Sequence, residues 1–156
     1  MQDAVETKNR VYCFVCTGNT CRSPMAAAVL NRYGASHGIY AISRGIMAAS
    51  GAPISENAAA ALADAGIAPT GHNAYDTHRA MQVCEADIEA CDGIFAISPR
   101  HAEMLLMAFP FAAGKIRTLG DIADPYGGDL ATYKACLAEI TDALRQQFPE
   151  VFTDAT

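Results

Sequence analysis

Val11-Tyr12-Cys13-Phe14-Val15-Cys16-Thr17-Gly18-Asn19-Thr20-Cys21-Arg22-Ser23-Pro24 is the stretch that decides how this chain is read. Residues 11–15 are apolar, few and without alternation, the pattern of a strand buried on both faces. The run stops at Cys16, crosses a loop of small residues and restarts at Ser23-Pro24. That dipeptide predicts a helix N-terminus, with a side chain able to cap and then Pro at the first helical position. A loop pinned between a strand end and a helix start can aim its backbone N–H groups at one point, and the helix dipole adds positive potential there. An oxyanion of phosphate size is its natural occupant. Gly18 and Asn19 fit, because both residue types tolerate left-handed backbone angles.

Cys16 opens the loop and Arg22 closes it. The spacing Cys-x5-Arg places a thiol beneath the anion and a planar, permanently charged fork beside it. Such a field favours thiolate over thiol and makes Cys16 a nucleophile at neutral pH. An isolated cysteine at a strand end is more commonly a core residue. The argument for chemistry rests on the whole pattern, Cys-x5-Arg-Ser between a strand and a helix.

Periodicity and turn residues predict the rest. A helix over 24–33 is expected to stop at Gly34, and a short strand over 40–43 to turn at Gly45. An alanine-rich helix over 55–65 is followed by Gly66. Residues 68–77, with Pro69, Gly71, His72, Asn73 and Asp76, read as a loop expected to shape the rim of the site. Residues 85–90 suit a short helix and 93–97 a third buried strand. Ser98-Pro99 starts a helix to about 108, and 116–119 form a fourth strand. Tyr133, Leu137, Ile140, Leu144 and Phe148 fall at helical spacing, with Pro149 as the stop. Strands separated by helices imply an α/β fold, a doubly wound four-stranded parallel sheet with helices on both faces. Ligands in such folds collect beyond the carboxyl ends of the strands, where Cys16 lies.

The chain has 156 residues, of which 51% are hydrophobic, with no break in composition. This fits one domain over 1–156, residues 1–9 being expected to be flexible. The formal net charge of −6 argues against nucleic acid or an anionic membrane as the main partner, so any anion site must be built locally against the global field. Residues 1–10 carry no apolar leader and no run is long enough to span a bilayer, which predicts a cytoplasmic protein. The six cysteines, scattered unevenly through a core-rich chain, fit reduced thiols better than a disulfide framework. His37, His72 and His101 show no ligand spacing with them, so neither metal nor other cofactor is expected.

A second constellation, Asp121-Ile122-Ala123-Asp124-Pro125-Tyr126-Gly127-Gly128, supplies what a thiolate lacks. The leaving group needs a proton and the covalent intermediate needs an activated water, and one carboxyl group can serve both. Asp124-Pro125 taken alone reads more readily as an ordinary turn.

Cys16-Thr17-Gly18-Asn19-Thr20-Cys21-Arg22-Ser23-Pro24 resembles the catalytic loop of the low-molecular-weight protein-tyrosine-phosphatase family, and Asp124-Pro125-Tyr126 resembles the general-acid motif of the same family. The two motifs bracket nearly the whole chain. The resemblance implies that Cys16 is the nucleophile, Arg22 the phosphate binder, Asp124 the acid and then the base, and Ser23 the donor to the departing thiolate. It also implies that Asn19 holds the loop shape, buttressed by Ser43 and by His78 of a His-Arg-Ala stretch. Thr17, Gly18, Asn19, Thr20, Cys21, Ser23 and Tyr126 would contact the substrate. The expected partner is a phosphorylated protein, and a monomer is expected.

Thr20 departs from the aliphatic residue usual in tyrosine-specific members. A hydroxyl there can accept from a guanidinium N–H, and together with Thr17 it looks more like the protein-arginine-phosphatase branch, so phosphotyrosine and phosphoarginine both stand as substrates. An arsenate reductase on the same fold is the alternative, invited by Cys84 and Cys91. The resolving cysteines of that family follow the third strand, whereas these precede it. A phosphoprotein-binding module would be expected to lose the nucleophile or the acid. Cys21 is expected either to pack or to pair with Cys16 under oxidation.

Overall fold

The computed structural model describes residues 9–152. Residues 1–8, most of the segment expected to be flexible, lie outside the described residues. Four strands, β1 (Arg10–Cys16), β2 (Ile39–Gly45), β3 (Gly93–Ala96) and β4 (Ile116–Thr118), form one sheet in the order β2-β1-β3-β4. All three pairings are parallel. The chain leaves β1 toward one edge for β2 and returns past it to β3, so the direction of winding reverses at β1. Cys16 is the last residue of that strand, at the crevice where open parallel sheets bind ligands.

Six helices cover the sheet: α1 (Arg22–Gly34), α2 (Glu56–Asp64), α3 (Glu85–Ala90), α4 (Pro99–Ala108), α5 (Leu130–Gln147) and α6 (Pro149–Phe152). Helices α1, α2 and α5 pack on one face, joining Phe14, Leu30, Leu62, Ile140 and Leu144 in the larger core. Helices α3 and α4 cover the other, where Cys13, Val15, Ile88, Ile94 and Leu105 meet. Residues 13–16 of β1 are all buried because side chains on both its faces meet a helix layer. Edge strand β2 alternates buried and half-buried residues instead.

Three local expectations are corrected. Ser23 does not cap α1: the helix begins two residues earlier than expected, at Arg22, no side chain caps it, and Pro24 falls at the third helical position, where a missing N–H still costs nothing. Gly34 does not stop α1 but is its last, buried residue. A Cβ on Gly34 would stand 2.7 Å from the Ile39 carbonyl oxygen, so glycine there lets β2 approach the helix, and the chain reverses at Gly38 with φ +72. Pro149 closes α5 but also opens the single turn of α6, since proline suits a first helical turn as well as it disrupts an interior one.

The segment 68–77 is also placed differently from expectation. Its middle packs along the flank of α1, where Asn73 Nδ2 donates to the Ala28 carbonyl at 2.9 Å. The residues that follow it reach the loop instead: Gly45 N donates to Met81 O and Val83 N to Gly45 O, each at 2.9 Å. Gly45 is held on its other side as well, because a Cβ there would lie 2.7 Å from the Thr17 carbonyl oxygen and 3.0 Å from the Asn19 Cβ. The variant Gly45→Ala must move either strand end or loop, and is expected to cost roughly 1–3 kcal/mol. Differential scanning calorimetry should show this as a fall in Tm of roughly 2–12 °C.

Candidate active site

The loop after β1 is shaped by one residue. Asn19 has φ +61, and among the described residues it is the only non-glycine residue with a positive φ. It is fully buried, and its side chain saturates the surroundings that hold it there. The amide nitrogen donates to Ser23 Oγ at 2.9 Å and to Ser43 Oγ at 3.0 Å, while Oδ1 accepts from Met81 N at 2.9 Å. Its backbone carbonyl meets His78 Nε2 at 2.7 Å, so that nitrogen carries the proton and donates. Burial, the largest influence on His78, pushes its pKa down, which suits a neutral supporting residue better than a proton carrier.

The walls tie the same loop down. Ile46 N donates to Cys16 O, Met47 N to Thr17 O and Ser55 N to Thr20 O, all at 2.9 Å. Every one of these contacts uses a loop carbonyl. The loop N–H groups over residues 17–23 donate to no protein acceptor among the described residues, although Asn19, Cys21, Arg22 and Ser23 are buried. Buried donors without partners are costly. A run of them at the uncapped start of α1 has the makings of an anion cradle.

Cys16 Sγ lies 2.9 Å from Ser23 Oγ. The hydroxyl that sequence reasoning assigned to helix capping is turned instead toward the thiol. Arg22, 7% exposed, is aimed by its Nη1 donating to the Ile122 carbonyl at 2.9 Å. Its Nη2 stands 3.7 Å from Asp124 Oδ2, and the Asp124 side chain is 55% exposed. Asp124 Oδ1 accepts from Tyr126 N at 3.1 Å, an Asx-type turn that fixes the carboxyl group over the loop. The Asp124 carboxyl, over a hundred residues from Cys16 and Arg22 in sequence, is thus brought to the same end of the sheet as they are. The side chains of Tyr126 and Met47 are largely exposed at its edge.

Thr20 is half-buried, and its Oγ1 makes only a long contact, 3.7 Å, with Cys21 Sγ. Cys21 is a free thiol whose sulfur lies 3.3 Å from the Tyr133 hydroxyl. Burial above all, then this contact, pushes the Tyr133 phenol up to about 12. Cys84 and Cys91 do not face the loop. Cys84 Sγ lies 3.4 Å from Asp87 Oδ2 and Cys91 packs with Cys13 in the core on the α3 and α4 face. Helix α4 carries no cysteine, so the geometry gives the arsenate-reductase alternative no resolving pair.

Two residues of the site were missed. Thr17 Oγ1 lies 2.8 Å from His101 Nε2, and His101 Nδ1 lies 2.8 Å from Ser98 Oγ. His101 was set aside because it has no ligand spacing with the cysteines. The usable signal was Ser98 at the start of α4, since an N-cap residue at the end of β3 faces the same crevice as the end of β1.

The chain matches the family described as low molecular weight phosphotyrosine protein phosphatase over residues 11–155. It is 38% identical over 135 residues to a protein-arginine-phosphatase of Geobacillus stearothermophilus, which covers 81% of this chain and 86% of that protein. A protein-arginine-phosphatase of Bacillus subtilis is 32% identical over 143 residues, 85% and 91% of the two chains. The crystal structure of a low molecular weight protein tyrosine phosphatase from T. tengcongensis superposes with a TM-score of 0.83 at 33% identity, covering 91% of this chain and 99% of that one.

Asn19→Ala removes three side-chain hydrogen bonds and leaves a Cβ in the left-handed region. It is expected to lower stability by roughly 2–5 kcal/mol, measurable by urea unfolding. Asn19→Gly, which keeps the backbone angle without strain, should recover about 1 kcal/mol of that loss.

Proposed function

The chain belongs to the low molecular weight phosphotyrosine protein phosphatase family, and from that membership we propose a two-step hydrolysis carried by Cys16, Arg22 and Asp124. The protein is a protein phosphatase. The observation that supports this assignment of roles is the run of unpartnered N–H groups over residues 17–23 among the described residues, with the Cys16 sulfur 2.9 Å from Ser23 Oγ and Arg22 Nη2 3.7 Å from Asp124 Oδ2.

In the first step the Cys16 thiolate attacks phosphorus. An S–P bond forms, the bond from phosphorus to the substrate atom breaks, and Asp124 delivers a proton to the departing group. The loop N–H groups and Arg22 hold the phosphoryl oxygens, whose charge spreads over them as the group transfers. In the second step Asp124 takes a proton from water, the water oxygen bonds to phosphorus and the S–P bond breaks. Ser23 Oγ, 2.9 Å from the sulfur, then donates to the departing thiolate. None of these steps calls on a metal or other cofactor.

For the substrate we propose phosphoarginine in proteins. Two observations support it: among the described residues Thr20 Oγ1 has only a 3.7 Å contact with Cys21 Sγ and can accept from a guanidinium N–H, and the two relatives quoted above are named protein-arginine-phosphatases. Phosphotyrosine is the second reading, favoured by the exposed ring of Tyr126, which could stack on a phenyl group. No helix among the described residues is long and apolar enough to cross a membrane, which is compatible with a cytoplasmic site of action.

Cys16→Ser is expected to abolish turnover of p-nitrophenyl phosphate while retaining phosphate-analogue binding. Surviving turnover would assign the attack to another residue. Asp124→Ala should slow hydrolysis roughly 10²–10⁴-fold for poor leaving groups and far less for good ones, so uniform slowing would remove it as the acid. Matched phosphoarginine and phosphotyrosine peptides test the substrate. The wild type is expected to prefer phosphoarginine, and Thr20→Ile to shift the ratio of kcat/KM toward phosphotyrosine by roughly tenfold or more. An unchanged ratio would remove Thr20 from substrate selection.

A further inference from the structure

Behind the cradle lies a buried chain of side chains that the two-step chemistry does not use. Ser98 Oγ, His101 and Thr17 Oγ1 are joined by two contacts of 2.8 Å. His101 is 4% exposed and Ser98 8%, whereas Thr17, directly after the nucleophile, is exposed. The chain therefore runs from the protein interior to the mouth of the loop.

Its direction can be worked out. Burial, then the Arg22 guanidinium, pushes His101 down to about 4, with Asp124 acting oppositely and Arg100 in the same sense as Arg22. The ring is thus neutral at working pH, one nitrogen donating and the other accepting. Ser98 Oγ already accepts, weakly, from His101 N at 3.4 Å. Among the described residues its own proton has no acceptor but His101 Nδ1. A buried hydroxyl proton needs one, so Nδ1 accepts and Nε2 carries the hydrogen. Nε2–H then donates to Thr17 Oγ1, and the Thr17 proton is left for an acceptor on its exposed side. The opposite tautomer would turn Thr17 lone pairs toward an incoming phosphoryl oxygen.

We propose that His101 is a positioning residue of the phosphoryl-binding loop: held by Ser98 as the Nε2–H tautomer, it fixes Thr17 and frees the Thr17 hydroxyl proton to donate to the bound phosphoryl group. This rests on the phosphatase reading above. It adds to the backbone cradle a side-chain donor whose orientation is set from helix α4.

The test uses the full chain with p-nitrophenyl phosphate as substrate and orthovanadate as the anion probe. His101→Asn, which cannot reach Thr17, is expected to lower kcat/KM roughly tenfold and to weaken vanadate binding by a similar factor. His101→Gln, whose amide N–H can stand where Nε2–H stood, should recover most of both. In a Thr17→Val background His101→Asn should cost less than about twofold, because its route of action is gone. Equal losses in both backgrounds, or equal losses for Asn and Gln, would overturn the proposal. Imidazole ¹⁵N NMR of the wild type gives a reading independent of how the variants fold. A proton on Nε2 from about pH 5 to about pH 9 is expected, and a proton on Nδ1 would overturn the proposal. A wild type inert toward p-nitrophenyl phosphate would strike the phosphatase reading itself, whereas an active wild type with additive variants strikes only the role of His101.

Discussion

The buried side chain of Asn19 is the constraint on which the rest of this structure turns. Aiming successive N–H dipoles at one point is unfavourable without an anion, and a residue with a Cβ resists the left-handed angle that the curl requires. Three side-chain hydrogen bonds, to Ser23, Ser43 and the Met81 backbone, offset both costs with contacts from three separate parts of the chain. They are shielded from water, where they count for more than on a surface. The loop keeps its shape through the protein rather than through its ligand, and a preformed site spends less of its binding energy on ordering.

Charge follows the same logic on a larger scale. The molecule carries a formal net charge of −6, so its overall field repels phosphorylated substrates. The site overcomes this only locally, with an uncapped helix start, buried unpaired donors and one shielded guanidinium. Ser23 shows how economical the arrangement is. Had its hydroxyl capped α1, it would have competed with the anion for the same N–H groups. Turned toward Cys16 instead, it leaves those donors unpaired and supplies a donor to the sulfur.

Much of this was legible in the sequence, because the strongest signals were local. Residues 11–15 read as a buried strand, which holds fully from Cys13 onward while Val11 and Tyr12 are half-buried, and the strand and helix rhythm after them matches the parallel sheet with both faces covered. The Cys-x5-Arg loop is marked by its small residues between strand and helix, whereas Asp124 stands out only through the resemblance of its Asp-Pro-Tyr stretch to a family motif, since its turn alone reads as an ordinary one. Where the structure departs from the sequence reading, the deciding contact is tertiary, and in two of the three cases its partner is distant in sequence. Gly34 looked like a helix stop, yet its role is set by the approach of the Ile39 carbonyl. Segment 68–77 reads as a long loop suited to a rim, yet Asn73 pairs with Ala28 across forty-five residues. His101 was passed over because its partner Thr17 lies eighty-four residues away, and no spacing rule spans that interval.

Arg22 does not stand free beside its anion. Through Nη1 it is moored to the carbonyl of Ile122, two residues from Asp124, so the guanidinium and the acid hang from one short stretch of backbone. They form a single lever. Any shift of that stretch moves the Asp124 carboxyl and swings the Arg22 fork in the same movement, without touching the sulfur.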